Sequence, residues 1–455
     1  MGVQTPIATM QDSPEIIASN GASEEQKRER WSAAARIGFR LAFVYFAVYV
    51  IITQMLGSLF AFIPIPFEIG TLKPFRATVE WTAKHVFHVT QPLVWTGSGS
   101  GDKTFDWVQT FCLLVLAIAV TIVWSAIDRR SESYPRLYKW FRIFLRFSLA
   151  TTMLTYGFVK AVPMQMPFPS LTRLMEPYGN FSPMGVLWYS IGASKAYEIF
   201  VGCMEILGGV LLFFPRTTLL GAMVCLADTA EVFTLNMTYD VPVKLFAFQL
   251  ILLSLLLLGP NFSRMANFLL RGRTEQAKGE PELFKSRRAN WISLGAQAAF
   301  GLAVIIGNTY GVIQQYHQYG AGAPKSPLYG IWNVTSYKMD GMEHPPLLTD
   351  TVRWRRAMFT YAALPYLVYS QGMDDTFTQY ISKLDMKEHT LELTKRGVKD
   401  WKADFALTQP AADQLVLDGQ MDGHKIQAQL QLFDYKKLLL VSRGFHWVQE
   451  YPFNK

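Results

Sequence analysis

The chain has few charged residues for its length. Only 17% of its 455 residues are charged, while 50% are hydrophobic and 14% are aromatic. Soluble domains usually carry about 25% charged residues. The shortage argues against an ordinary soluble protein and indicates extensive contact with lipid.

Cysteine is also scarce, and the motifs of common cofactors are missing from the sequence. The three cysteines, Cys112, Cys203 and Cys225, lie inside apolar runs, so no disulfide framework is expected. The sequence has no CxxCH haem motif, no Cys/His cluster of metal-binding spacing and no strand-flanked GxGxxG. His85 and His88 stand three apart with no third ligand nearby, so no metal site is predicted.

The net charge of +8 is carried almost entirely by the apolar part of the chain. From Lys325 onward, basic and acidic residues are nearly balanced. Membrane loops that face the cytoplasm are enriched in Lys and Arg. The basic excess therefore fits a lipid bilayer as partner and does not require nucleic acid.

Seven apolar stretches are long enough to cross a bilayer core, which needs about 20 residues of helix. They cover residues 37–63, 107–127, 138–161, 191–214, 217–237, 245–258 and 291–310. The predicted units are an N-terminal segment (1–36), two spans with an external loop (37–137), a four-helix core (138–260), a basic loop with the seventh span (261–325) and a C-terminal domain (326–455). The first apolar run is too long for a cleaved signal peptide, so we expect it to be retained.

Basic residues cluster in two of the connections between spans. One cluster lies within residues 129–142 and the other within 264–288, whereas the connections around Asn180 and Tyr239 are poor in Lys and Arg. The positive-inside rule places the two basic connections in the cytoplasm. The protein is then expected in the cytoplasmic (inner) membrane, with its N-terminus inside, its C-terminal domain outside and a surface helix over 77–89 on the outer side.

The C-terminal domain shows the two-residue periodicity of half-buried strands. Ile426, Ala428 and Leu430 alternate with polar residues. Asp340-Gly341 and Asp422-Gly423 separate such runs and predict hairpin turns. About eight strands in a domain of this length predict a small antiparallel β-barrel.

Ionisable side chains interrupt several of the apolar stretches. They are costly inside a bilayer unless paired or hydrated, so they indicate a functional interior. Helical spacing puts Lys195, Glu198 and Glu205 on one face. The predicted intramembrane site consists of Lys160, Lys195, Glu198, Glu205, Asp228 and Glu231. The residues predicted to line its mouth are Asn236, Tyr239, Asp240 and Lys244.

Two interpretations of these residues remain open. In the first, Lys195 pairs with Glu198 and Lys160 pairs with Glu231, and the ion pairs only join helices. In the second, which we favour, the side chains converge on a polar pocket that opens outward and serves a function.

Two stretches resemble the DoxX family of small four-helix membrane proteins. They are Tyr156-Gly-Phe-Val-Lys160 and Met204-Glu205-Ile-Leu-Gly-Gly209. The resemblance covers residues 138–260 and matches Lys160, Glu205, Gly208 and Gly209. Because the family is named after a subunit of a quinone-linked oxidoreductase, it implies a component of a membrane redox system, with a quinone as cofactor. The two glycines could equally serve close helix packing.

The C-terminal domain resembles a lipocalin at Gly330-Ile331-Trp332, where a Gly-x-Trp opens the first strand. The resemblance implies that Trp332 closes the floor of the barrel and that Arg443, near the chain end, packs on it. Small barrels either hold one apolar ligand or are filled by their own side chains.

Three functions follow from these observations. We predict first a DoxX-like membrane redox component whose polar site conducts protons or binds a substrate. The second is a module in which the barrel captures a lipophilic small molecule and passes it to the bundle. The third is an anchor for a membrane or extracytoplasmic protein partner. The sequence identifies no catalytic residue for any of them.

Overall fold

The computed structural model describes residues 30–63, 68–274, 280–361, 367–395 and 397–454. These residues form a helical region followed by an antiparallel β-barrel. Most of the predicted N-terminal segment, residues 1–29, and part of the basic loop, residues 275–279, lie outside the described residues.

The described helices of the first region follow one another along the chain between residues 33 and 319. They are α1 Ala33–Ile52, α2 Met55–Leu59, α3 Lys73–His85, α4 Thr104–Ile127, α5 Pro135–Ala161, α6 Leu171–Met175, α7 Pro183–Gly192, α8 Lys195–Phe213, α9 Thr218–Thr238, α10 Lys244–Leu258, α11 Phe262–Arg271 and α12 Arg287–Tyr319, with α13 Leu439–Ser442 after the barrel. Within the described ranges, six stretches have the length and apolar composition to cross a membrane: α1, α4, α8, α9, α10 together with α11, and α12.

The helix α5 is not among these six, yet it lies at the centre of the bundle. It packs against α2, α8, α10 and α12. Its polar residues Arg146, Thr151 and Thr152 are buried to 1% exposure or less. Buried polar groups need hydrogen-bond partners, and the hydroxyls of both threonines donate to carbonyl oxygens of the preceding turn. The central position therefore explains how α5 carries polar residues that lower its hydropathy.

Two predicted spans differ from the observed helices. Residues 37–63 form two helices, because the chain becomes extended at Thr53, whose hydroxyl donates to the carbonyl of Tyr49 at 2.8 Å. The span predicted over 191–214 begins later, since Ser194 caps α8 by accepting a hydrogen bond from the backbone N–H of Tyr197. Apolar composition continues through both breaks, which is why hydropathy does not show them.

In the other cases each predicted helix or span corresponds to one observed helix, and only its ends differ. The predicted surface helix, 77–89, is α3, which begins four residues earlier because Pro74 in its first turn fits the start of a helix. The basic region after Gly259 contains α11, which ends at Gly272 in the left-handed conformation (φ 61°). The last span, predicted over 291–310, extends in both directions as the 33-residue α12.

The described strands form one antiparallel meander that closes on itself. They are β1 Lys325–Met339, β2 Met342–Glu343, β3 Trp354–Tyr361, β4 Leu367–Gly372, β5 Phe377–Asp385, β6 Thr390–Lys395, β7 Lys402–Ala411, β8 Gln414–Met421 and β9 His424–Phe433. Each strand pairs with the next, except that β2 is a short addition to β1, and β1 also pairs with β9. The ring therefore contains eight strands, which confirms the predicted barrel.

The predicted periodicity and turns are confirmed in the barrel. Ile426, Ala428 and Leu430 are buried to 2% exposure or less and face the interior. Asp340 and Asp422 have φ values of 51° and 53° and are each followed by a glycine with φ 85°, the backbone of a type I′ hairpin turn. The interior is filled by large buried side chains: Trp332, Tyr337, Trp354, Phe359, Tyr380, Trp401 and Phe405.

Candidate functional site

The candidate site is built where α5 and α8 approach each other most closely. A Cβ atom added to Gly202 would lie 2.6 Å from the carbonyl oxygen of Gly157, so the two backbones are in contact. This close approach brings Lys160, near the end of α5, onto Glu205 of α8, and the two side chains form an ion pair. Both are buried, with 5% and 3% exposure. The pair is therefore shielded from both water and lipid.

The glycines matched by the family resemblance have the same packing role. A Cβ on Gly209 would lie 2.8 Å from the carbonyl oxygen of Ala150 on α5. A Cβ on Gly208 would lie 2.9 Å from the sulfur of Cys225 on α9. One side of α8 thus contacts α5 and another contacts α9, so both glycines have the structural role that close helix packing requires.

A cavity of about 90 Å³ adjoins the ion pair. A water molecule needs roughly 10–15 Å³ of such space, so the cavity has room for several waters or a small head group. Most of the exposed wall is apolar, and the polar side chains come from α5, α8, α9 and the segment between α5 and α8. The polar lining residues are Tyr156, Lys160, Gln165, Trp188, Glu205, Asp228, Thr229 and Asn236, and the apolar ones include Met153, Leu187, Phe246 and Leu250.

Three acceptor atoms in this lining are buried without a hydrogen-bond partner among the described residues. They are Oε1 of Gln165, Oε2 of Glu205 and Oδ2 of Asp228. A buried acceptor left unpaired costs about 1–3 kcal/mol, and more if it is charged. A hydrogen-bond donor placed in this cavity would be within reach of all three acceptors.

The loop between α5 and α8 covers the cavity. The indole N–H of Trp188 donates to the carbonyl of Gln165 at 3.0 Å. Below it, the backbone N–H of Met166 donates to the carboxylate of Glu198 at 2.8 Å. Gly192 permits this arrangement, because a Cβ there would lie 2.5 Å from the carbonyl oxygen of Pro167. Glu198 thus holds the cover in place instead of lining the cavity.

The remaining predicted site residues lie elsewhere. Lys195 and Glu231 are exposed and have no ion-pair partner among the described residues. The two pairs of the first interpretation, Lys195 with Glu198 and Lys160 with Glu231, are wrong, because Lys160 pairs with Glu205 and Glu198 holds a backbone N–H. The structure therefore brings together Lys160, Glu205 and Asp228 of the six.

Of the four predicted mouth residues, Asn236 lines the cavity. Its amide donates to the carbonyl of Val243 at 3.3 Å. Lys244 instead forms ion pairs with Asp240 at 3.0 Å and with Asp102 at 3.7 Å. Tyr239 is half-buried outside the lining. Tyr239, Asp240 and Lys244 therefore do not line the cavity, and the last two form a cluster of ion pairs with Asp102.

A second, more polar cavity of about 200 Å³ lies beside the first. The two share Tyr156, Val243 and Phe246 in their linings. The hydroxyl of Tyr156 donates to the side-chain oxygen of Gln54 at 3.2 Å. Partial desolvation, together with the nearby charge of Asp106, raises the pKa of Glu68 in this second cavity. A wall of two aromatic rings and one valine therefore separates a polar vestibule from the buried ion pair.

Three residues of the site were not predicted: Gln165, Trp188 and Tyr156. Gln165 lies in an irregular stretch after α5 and Trp188 lies in the short helix α7, and no periodic signal in the sequence places either of them over the cavity. Tyr156 stands one turn before Lys160, a spacing that places both on one face of α5. That spacing was the one available signal in the sequence for any of the three.

The three residues predicted as the barrel signature lie in different surroundings: Trp332 and Gly330 lie within β1, and Arg443 lies after β9. Trp332 is 2% exposed and its indole N–H donates to the carbonyl of Leu328 at 2.9 Å. Gly330 lies at a bulge with φ 153°. Arg443 does not pack on Trp332, because its guanidinium lies 4.4 Å from the ring centre of Phe453 in the segment after β9.

The outer face of the barrel contacts the loop that covers the cavity. Leu171 of α6 packs with Ile331 and Met358, both of which are fully buried. The side-chain amide of Gln371 donates to the carbonyl of Met175 at 3.3 Å. The same loop therefore covers the cavity with one part and holds the barrel with another.

Among the described residues, no group of three or more His, Cys, Asp and Glu could hold a metal ion. The buried polar atoms near Lys160 instead suit an organic or aqueous donor.

Comparison with known proteins identifies a relative. Uncharacterized protein YwoB of Bacillus subtilis (strain 168) is 33% identical over 118 residues, which are 26% of this chain and 72% of YwoB. This chain belongs to the YwoB family. No family model matches the chain. No solved structure matches it either. The name of YwoB states no activity, so membership in the YwoB family does not favour any one of the three functions.

Proposed function

We propose that the cavity beside Lys160 binds the polar head group of a small lipophilic molecule of the quinol type, within a membrane redox system. The observation that carries this proposal is the set of three unpaired buried acceptors, on Gln165, Glu205 and Asp228, around one largely apolar cavity. A quinol has two hydroxyl donors on an apolar ring. Its hydroxyls would satisfy acceptors that the protein leaves unpaired.

The charges around the cavity give the site an excess of carboxylate over cation. Two carboxylates and one ammonium group surround the cavity, so the carboxylate of Asp228 has no cation of its own among the lining residues. Asp228 would accept a hydrogen bond from one hydroxyl of the quinol, and the second oxygen of Glu205 would accept one from the other. The polar vestibule beside Tyr156 would connect the cavity with the aqueous side.

We also propose that α5 is the seventh span and that the chain lies in the cytoplasmic membrane with the barrel outside. The support is that α5 has 27 residues, occupies the centre of the bundle and packs against helices of membrane-spanning composition. The basic connections then lie on the cytoplasmic side. A reporter that is active only outside the cytoplasm, fused to the C-terminus, should be active, and an inactive fusion would reverse the orientation.

The packed barrel interior does not favour ligand capture by the barrel. Trp332, Trp354 and Phe405 fill it, each with 5% exposure or less. Its outer face holds the cover of the cavity through Leu171 and Gln371. In this proposal the barrel stabilises the cover, and the lipocalin-like fold serves as a scaffold.

The first test is chemical identification of the occupant. The full chain, purified in mild detergent, is extracted with organic solvent and the extract is analysed by mass spectrometry. The proposal expects a quinone or quinol in near-stoichiometric amount. Less of it should be extracted from Asp228→Asn, whereas Glu231→Gln, the control on the exposed side of the same helix, should yield as much as the wild-type protein. Equal amounts in all three proteins would show that the molecule is bulk membrane lipid.

A further inference from the structure

A separate cavity of about 530 Å³ lies at the opposite end of the bundle from Lys160. It is formed where α5 and α12 begin and where α8 ends, beside the loop that leads into α12. Four cationic residues line it: Lys139, Arg146, Arg216 and Arg287. Because α1 also begins at this end, with the backbone N–H of Trp31 donating to the carbonyl of Glu132, the cavity lies at an edge of the apolar bundle.

The acidic residues in the lining already have partners. Glu280 forms an ion pair with Arg142. The carboxylate of Glu282 accepts a hydrogen bond from the side-chain amide of Asn290 at 3.2 Å. Arg216 and Arg287, by contrast, have no ion-pair partner within the described ranges. The cavity therefore has an uncompensated positive charge.

Arg146 is the buried part of this charge. It is 1% exposed, and its Nε and Nη2 atoms donate to the carbonyls of Leu212 and Phe213 at 3.0 Å each. Nη2 also donates to the side-chain oxygen of Gln297, which lines the cavity, at 3.5 Å. No described residue accepts a hydrogen bond from Nη1, so this atom is available to an acceptor in the cavity.

The first turn of α12 adds to the same potential. Arg287 and Asn290 of that turn and Trp291 just after it line the cavity, and Ser286 does not cap the helix with its side chain. Helix N-termini bind anions through free backbone N–H groups and the helix dipole. Apolar side chains also line the cavity, among them Ile143, Phe214 and Leu294.

We propose that this cavity is a binding site for a phosphate-bearing anion, namely the head group of an anionic phospholipid. Arg216 and Arg287 would contact the phosphate together with the free Nη1 of Arg146. The apolar wall would contact the upper part of the acyl chains, and Trp291 would lie at the level of the head groups, where tryptophan is enriched. Basic pockets between membrane helices are suited to such head groups. This site is independent of the quinol cavity.

The test uses the full chain in detergent, stripped of lipid. Phosphatidylglycerol or phosphatidylcholine is added, and native mass spectrometry and thermal unfolding measure lipid retention and protection. Phosphatidylglycerol should protect, and the double variant Arg216→Gln/Arg287→Gln should bind it about 30-fold more weakly, at about 1 kcal/mol for each charge lost. Arg216→Lys/Arg287→Lys keeps both charges and should retain most of the binding. This variant therefore distinguishes the effect of the lost charges from that of a disturbed fold.

Arg136→Gln is the matched control, because Arg136 is exposed near the start of α5 but outside the lining. It should bind phosphatidylglycerol as the wild-type chain does. Competition by excess inorganic phosphate would support the phosphate contacts. Protection by inorganic phosphate that equals that of the lipid would assign the same site to a soluble phosphate compound. Equal protection by both lipids, or equal losses in the double variant and Arg136→Gln, would overturn the proposal.

Discussion

Lys160 on α5 and Glu205 on α8 form an ion pair that is buried on all sides, across a helix crossing where the chain has glycine on both helices. The second oxygen of Glu205 remains unpaired and lines the cavity that also contains Asp228. One pair thus joins the two helices and forms part of the wall of the proposed binding site.

Removal of one partner of this pair should destabilise the bundle. Lys160→Met leaves the Glu205 carboxylate buried without its cation, and Glu205→Gln leaves the ammonium group without its carboxylate. Each single variant should lose about 3–5 kcal/mol. The double variant Lys160→Met/Glu205→Gln should recover much of that loss, because no unpaired charge remains. Thermal unfolding in detergent measures all three, and a double variant that loses the sum of the single losses would contradict the coupling.

Gly202→Ala should separate α5 from α8. The added methyl group would meet the carbonyl oxygen of Gly157 at 2.6 Å, a distance that backbone atoms cannot tolerate. We expect a lower melting temperature and a loss of bound quinol, since Lys160 and Glu205 would move apart. Gly295→Ala on α12 is the control, because a Cβ there meets nothing within 4 Å. It should be neutral or stabilising by up to about 1 kcal/mol.

The barrel should fold without the bundle, because its closed ring of strands and its packed core lie within residues 322–454. A fragment of residues 322–455 is expected to give a β-rich circular dichroism spectrum. Trp332→Ala should lower its free energy of unfolding by about 3–5 kcal/mol, measured with urea. Trp447→Ala, at a side chain with 91% exposure, should change it little. A helical spectrum would show that the barrel does not fold alone. Similar losses of stability in both variants would contradict the burial of Trp332 in the barrel core.

The acid stability of this fragment should depend on Asp340. The side chain of His424, at 2.7 Å, and the backbone N–H of Lys425, at 2.9 Å, hold the pKa of this carboxyl below its ordinary value. A carboxyl whose pKa is lowered by folding stabilises the protein above its unfolded pKa of about 3.9, and this contribution is lost as the pH falls through the folded pKa.

Thermal unfolding from pH 5 to pH 2 should therefore show a steeper loss for the wild-type fragment than for Asp340→Asn. Asparagine also tolerates the left-handed backbone of this turn, so the variant should keep the hairpin. Identical slopes would show that Asp340 does not contribute to the acid transition.

Much of the fold follows from periodicity, and much of the site does not. Alternation at Ile426 and Ala428 and the two Asp-Gly turns identify the barrel, because a strand shows its buried face directly in its sequence. Long apolar stretches identify the spans, but the hydropathy of residues 37–63 does not show that the helix is interrupted at Thr53. Lys160, Glu205 and Asp228 were found because charge in an apolar helix is costly.

The pairing of these residues could not be predicted in the same way. Which carboxylate meets Lys160 depends on the rotation of α8 against α5, and that rotation is set by the contact between Gly157 and Gly202. Gln165 lies in an irregular loop, and its position depends on the hydrogen bond from Trp188. Arg443 was expected to pack on Trp332 from a resemblance alone, but its guanidinium packs on the ring of Phe453 instead.

The most direct test of the proposed function is a titration of the protein in nanodiscs with a short-chain quinol, followed by the fluorescence of Trp188, which lines the cavity. Trp188→Phe identifies the signal of that residue. We predict saturable quenching in the wild-type protein and in Glu231→Gln, and about 10- to 100-fold weaker binding in Asp228→Asn, which loses a hydrogen bond to a charged group. Equal affinity of the wild-type protein and Asp228→Asn, or no saturable binding at all, would contradict the account.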